Sequence, residues 1–98
     1  HLALFLSKEI LRLGLYQNFN KIEKIFAFMP FMHSEIFEDQ IISLSLYSNL
    51  GIKENFRSAL KHFNIIRKFG RFPHRNKILN RKSTLEEEEF LKQPDSAW

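Results

Sequence analysis

His33, Glu35, Asp39, His62 and His74 are the side chains of this sequence suited to acid–base or metal chemistry. Glu35 and Asp39 stand four positions apart, so on a helix both carboxylates lie on one face, and two or three imidazoles can join them through helix packing. His33-Ser34-Glu35 has the His-x-Glu spacing of zinc deaminases, but that chemistry needs a Pro-Cys-x-x-Cys partner and the chain has no Cys. A His-Glu-x-x-His helix is absent as well. No metal and no cofactor are therefore expected. The competing reading is structural: carboxylates at a helix start answer the helix dipole and pair with Arg71 or Arg75.

A second group follows in the stretch Arg71-Phe72-Pro73-His74-Arg75-Asn76. Arg offers a planar fork matched to carboxylate or phosphate, and His and Asn add neutral donors. Arg71, His74, Arg75 and Asn76 thus form a candidate anion pocket, braced by Pro73. Alternatively they tie a connector to the carbonyl ends of neighbouring helices. The stretch lies in a window, Asn55 to Leu85, that holds nine Lys and Arg and no acid, while six bases share the remainder with all 11 acids. That basic window interleaves Phe56, Phe63, Phe69 and Phe72, the composition of a nucleic-acid surface. Those rings fall on a helical core stripe, however, and no nucleic-acid motif is present. The nucleic-acid reading therefore ranks behind a solvated basic face.

Composition bounds the rest. A chain of 98 residues with 44% hydrophobic and 27% charged residues is at most one globular domain, taken here as a single unit, 1–98. The absence of Cys excludes disulfides and thiol catalysis and fits a reducing cytoplasm. No apolar run approaches the 18 or so residues of a membrane span, so no membrane partner is expected. The apolar start lacks the basic region and cleavage pattern of a signal peptide.

The elements that must position these side chains read as helices. Leu2 to Leu13 carries apolar residues at a helical period, and Gly14 is a stop. Asn20 with Glu23 resembles a capping pair, behind which Ile22, Ile25, Phe26 and Met29 make one stripe ended by Pro30. Ser34 is the next candidate N-cap, with Glu35, Glu38 and Asp39 in the first turn of a helix to Leu50. Ile42 to Leu46 alternates like a strand, but a lone strand would have no partner, so helix is the expectation. Glu54 to Phe69 should bury Phe56, Leu60, Phe63, Ile66 and Phe69 and stop at Gly70. After an irregular connector from Arg71 to Lys82, with a short turn at Arg75 to Leu79, Thr84 with Glu87 or Ser83 with Glu86 caps a last helix to Lys92. Glu86 to Glu89 is read as its solvated first turn.

Phe31-Met32-His33-Ser34-Glu35, Asp39-Gln40, His62, Phe69 to Asn76, and Arg81-Lys82-Ser83-Thr84 with Glu86-Glu87 and Phe90-Leu91 occur in this order. The series closely resembles the bacterial family catalogued as domain of unknown function 924, along nearly the whole chain. The resemblance implies an all-helical fold similar to tetratricopeptide-repeat superhelices, a cytoplasmic location and no assigned activity. Family members usually carry Gly at the position of Asn80, Pro at that of Leu85 and Asp at that of Asn64. Their domain is also longer, with an N-terminal portion before the equivalent of Leu2, so the chain is expected to be the C-terminal part of such a domain, a fragment or a split-gene product.

The expected fold is all-α: antiparallel helix pairs in a tetratricopeptide-like right-handed array, four main helices and a short C-terminal one. The leading functional expectation is a helical interaction or small-ligand-binding protein. Its candidate ligand residues are His33, Glu35, Asp39, His62, Arg71, His74, Arg75 and Asn76, and its partner a small anion or a protein. The alternative is an enzyme using His33, Glu35 and His74 for acid–base chemistry on an anionic substrate. An apolar face left without its covering portion favours self-association.

Overall fold

The computed structural model describes residues 2–94, 96 and 97. Five α-helices follow one another: α1 (Leu2–Arg12), α2 (Lys21–Met32), α3 (Phe37–Leu50), α4 (Lys53–Phe69) and α5 (Leu85–Leu91). Single 3-10 turns at Leu15–Asn18 and Pro73–Arg75 interrupt the connectors. No strand occurs among the described residues, and Ile42 to Leu46 lies within α3.

Local chemistry explains most boundaries. At α2 the Asn20 side chain accepts from the Glu23 amide while the Glu23 carboxylate accepts from the Asn20 amide, a complete capping box. Thr84 and Glu87 make the same reciprocal pair at α5, so Ser83 with Glu86 is not the cap. Gly70 ends α4 at φ 74°, a conformation costly for residues with a Cβ, and its amide donates to the Ile66 carbonyl at 2.8 Å.

Two boundaries depart from expectation. Pro30 does not end α2; the helix runs another two residues to Met32. Pro30 removes one amide donor, but Phe31 and Met32 are buried, and the fully buried Gln40 amide donates to the Met32 and Ser34 carbonyls at 2.7 Å each. Packing and this side-chain cap together outweigh the lost bond. Ser34 is not the N-cap of α3 either, because Ile36 occupies that position. Ser34 instead forms a turn, its Oγ accepting from the Ile36 amide at 3.1 Å and donating to Asp39 at 2.7 Å.

Helix α2 packs against α1 and α3, and α3 packs extensively against α4. This succession of helix pairs is compatible with a tetratricopeptide-like array. One core joins Phe28, Met32, Tyr47, Leu50 and Ala59, with the Tyr47 hydroxyl donating to the Ile25 carbonyl at 2.9 Å. A second joins Ile65, Ile66 and Phe72, with Phe69 and Phe90 against them. The expected stripes are rotated relative to these cores. On α2 the buried residues are Phe28, Phe31 and Met32, while Ile22 and Phe26 are about two-thirds exposed, at 67% and 65%. On α4 the buried residues are Ala59, His62, Ile65 and Ile66; of the expected face only Ile66 is buried, and Leu60 is exposed. On α1 only Ser7 is buried, its hydroxyl donating to the Ala27 carbonyl at 2.7 Å.

Candidate functional site

The connector between α4 and α5 is irregular but held at several points. Arg71 closes on Glu87 with two nitrogens, at 2.8 and 2.7 Å, and donates to the Lys82 carbonyl at 2.8 Å. Glu87 is therefore not part of a solvated turn: it is buried at 2% exposure. The Arg71 hydrogen bonds, with the Thr84 amide and hydroxyl cap and the Arg71 charge, outweigh burial and hold its carboxyl down at about 2. Asn76, also buried, donates to Ser83 Oγ at 3.0 Å and accepts from Arg81 Nε at 3.0 Å. Asn80 takes a left-handed turn at φ 58°, which reverses the chain so that Arg81 points back under it.

Glu35 meets this connector from the turn before α3. Its oxygens accept from Arg81 Nη1 and Nη2 at 2.8 and 3.0 Å, and Oε2 also accepts from the Phe72 amide at 2.7 Å. Burial alone would raise the Glu35 carboxyl. The Arg81 and Phe72 donors and the charges of Arg81 and Arg75 outweigh burial and hold it below the usual range. The partner of Glu35 is thus Arg81, not Arg71 or Arg75. Asp39 is not in this group at all: it is buried, bonds Ser34, and lies 3.4 Å from Lys8 of α1.

Phe72, fully buried, is the hub around which the imidazoles gather. The His62 ring meets it edge-on at 5.6 Å, the His74 ring lies 6.1 Å away, and the Arg75 guanidinium lies over its face at 4.6 Å. His33 is 5.4 Å from His62, ring to ring. His62 Nδ1 sits 2.6 Å from the Ser58 carbonyl, an acceptor only, which assigns the proton to Nδ1. Burial lowers His62 to about 4, opposed by the Ser58 bond and reinforced by His33, Lys61 and Arg75. Burial and the Arg75 charge lower His33 as well. They also lower His74, where Glu35 opposes and Lys61 adds to them. All three rings are therefore held toward the neutral form.

Beside this hub opens a cleft of about 600 Å³. His33, Glu35 and Arg75 supply its polar end, and Ala3 and Leu4 of α1 with Phe26, Met29 and Pro30 of α2 supply an apolar wall. Of the eight candidate residues, these three line the cleft. His62 and His74 stand behind it on Phe72, Arg71 and Asn76 brace the connector, and Asp39 lies elsewhere. Sequence reasoning missed the roles of Arg81 and Glu87. Glu87 carried a signal, since it is the third residue of a capping box; Arg81 stood in the series that carries the family resemblance, but nothing in its spacing pointed to Glu35. Among the described residues no three His, Cys, Asp or Glu side chains are arranged to hold a metal ion. No described helix is long and apolar enough to cross a membrane.

Residues 1–95 match a family described as "Bacterial protein of unknown function (DUF924)". The chain belongs to this family. A solved structure of a protein of unknown function from Agrobacterium tumefaciens is similar to this DUF924 chain at 37% identity and a TM-score of 0.87. The similarity covers 93% of this chain and 51% of the other, so the DUF924 chain spans about half the length of that relative. No curated protein matches it. The neighbour shares the fold, and neither it nor the family description names a chemistry for the cleft.

Proposed function

We propose that this chain is a helical ligand-binding protein whose cleft takes a small anion at Arg75. One observation carries the reading. Three guanidiniums crowd the connector; Arg71 is held by Glu87 and Arg81 by Glu35, yet among the described residues no carboxylate lies within ion-pair distance of Arg75. Its guanidinium lies over Phe72 and lines the cleft. Burial pushes Arg75 down from its ordinary value, against the pull of Glu35, so an anion in the cleft would relieve a partly desolvated charge. The reading includes a cytoplasmic location, the compartment the family resemblance implies. Titration with inorganic phosphate and with acetate, followed through the His33 ring and Arg75 side-chain NMR signals, tests it. Saturable shifts are expected, weakened tenfold or more in Arg75→Gln. Signals that never move up to tens of millimolar anion would refute the site.

A second reading, an enzyme, draws on one further observation: His33 lines the same cleft and is held toward neutrality at pH 7. A neutral imidazole next to a bound anion is placed to take a proton from it. An ordinary His33 titration near 6.5 in solution would remove that support. The nucleic-acid reading is weakened, since Phe72 is fully buried, Phe56, Phe63 and Phe69 are half-buried, and two of the connector's cations are held by carboxylates.

A further inference from the structure

The cleft is not uniformly polar, and its two ends differ in kind. The polar end presents Arg75, His33 and the edge of Glu35, while the wall formed by α2 presents Phe26, Met29 and Pro30. Phe26 is 65% exposed on this wall. A small hydrated anion would contact Arg75 and leave the whole apolar wall against water. A ligand that uses the full cleft must carry an anionic head and an apolar body. The volume, about 600 Å³, lies within the range of small-molecule sites.

Charge selects the head group. Arg75 is the cation that lines the cleft, and Glu35, already clamped by Arg81, lines it too. A dianionic head would be repelled by Glu35 with only one guanidinium to answer it, whereas a singly charged head is balanced. The Arg75 guanidinium, 4.6 Å over the Phe72 ring, carries a planar fork of N–H donors whose geometry matches a carboxylate.

We infer that the cleft binds an amphipathic monocarboxylate, its head at Arg75 and its alkyl or aryl body along Phe26, Met29 and Pro30. This rests on the anion-binding reading above and adds the ligand class to it.

The test is calorimetric titration of the 98-residue chain with acetate, butanoate, hexanoate and octanoate, all below micelle-forming concentration, and with inorganic phosphate. Affinity is expected to rise about fourfold for each added CH2 that the wall buries. Phe26→Ser, at an exposed position that leaves the cores intact, should flatten that rise while acetate binding stays within twofold. Arg75→Gln should weaken every member of the series by a similar factor of ten or more, and Lys77→Gln, exposed and outside the cleft, should change nothing. Equal affinity for acetate and octanoate, or phosphate binding tighter than octanoate, overturns the ligand class and leaves the anion site standing. A chain-length dependence unaltered in Phe26→Ser places the alkyl group elsewhere and also overturns the inference. Binding of none of these anions overturns the anion site and the ligand class together.

Discussion

The Arg81 guanidinium closes on the Glu35 carboxylate with both terminal nitrogens, at 2.8 and 3.0 Å, across 46 positions of sequence. The same carboxylate accepts from the Phe72 amide, and Arg81 reaches the Phe72 carbonyl at 3.3 Å. Glu35 and Arg81 therefore clamp the backbone of the buried aromatic hub from both sides. Because they satisfy each other, Arg75 stands on the cleft side of the hub without a carboxylate in contact.

Glu35→Gln tests the clamp. It keeps the shape but removes the charge, weakening two charge-assisted bonds and leaving Arg81 and Arg75 near one another without an acid. A loss of about 1–2 kcal/mol in urea unfolding is expected. An unchanged midpoint would mean that the connector is held by the Arg71–Glu87 pair alone.

Glu87 predicts acid sensitivity. Its folded pKa is depressed to about 2, chiefly by Arg71, well below the ordinary carboxylate value. The unfolded chain therefore binds a proton first. The stabilisation is fully present above about pH 5 and is lost as pH falls toward 2. The difference in unfolding midpoint between the protein and Glu87→Gln should shrink through that window, and a difference independent of pH would contradict the assignment.

Much of this was legible in the sequence where local chemistry decides. Asn20 with Glu23, Thr84 with Glu87, and Gly51 and Gly70 past their helices fix ends through bonds within a few residues. Buried faces were less legible. Helix α2 is apolar on nearly every side, so Ile22, Ile25, Phe26 and Met29 fit the helical period as well as the residues that are buried. Packing against α1 and α3 chooses among them, and that choice is not local. His62 shows the same limit: a polar residue occupies a core position on α4 because Ser58 and the Phe72 ring receive it. The pairing of Glu35 with Arg81 rather than Arg71 or Arg75 depends on the reversal at Asn80, which charge spacing alone does not reveal.

His62 predicts a second pH dependence at milder acidity. Its folded pKa is lowered to about 4, mainly by burial, from an ordinary imidazole value of about 6.5. The neutral ring is the folded form. Its contribution is present above pH 6.5 and is lost as pH falls to 4, amounting to about 3 kcal/mol across the window. His62→Phe should make stability fall less steeply between pH 6.5 and 4, the remaining slope coming from His33, His74 and, below about pH 5, Glu87. Ring NMR signals of His62 titrating near 6.5 in the folded protein would refute this.

Asn80 adopts φ 58° without the freedom of glycine. Asn tolerates this region better than other residues, so Asn80→Ala should cost about 1 kcal/mol while Asn80→Gly is neutral or mildly stabilising. Equal stabilities for the two variants would show that the turn is not strained. Arg81 should report the same turn, since its Nε bond to Asn76 requires the reversal.

The exposed apolar side chains of α1 and α2 predict self-association. Leu2, Phe5 and Leu6 on α1 and Ile22 and Phe26 on α2 are each half exposed or more. Apolar exposure on this scale in a small monomer is a surface that favours contact with another chain. Sedimentation equilibrium should show an average mass that rises with concentration. The double variant Phe5→Ser, Ile22→Ser, which touches neither buried core nor cleft lining, should return the mass to that of one chain. Octanoate seated on Phe26 and Met29 should also lower the average mass in the unsubstituted protein, because chain and ligand would compete for the same wall. A monomer at all concentrations would show that these side chains do not drive association.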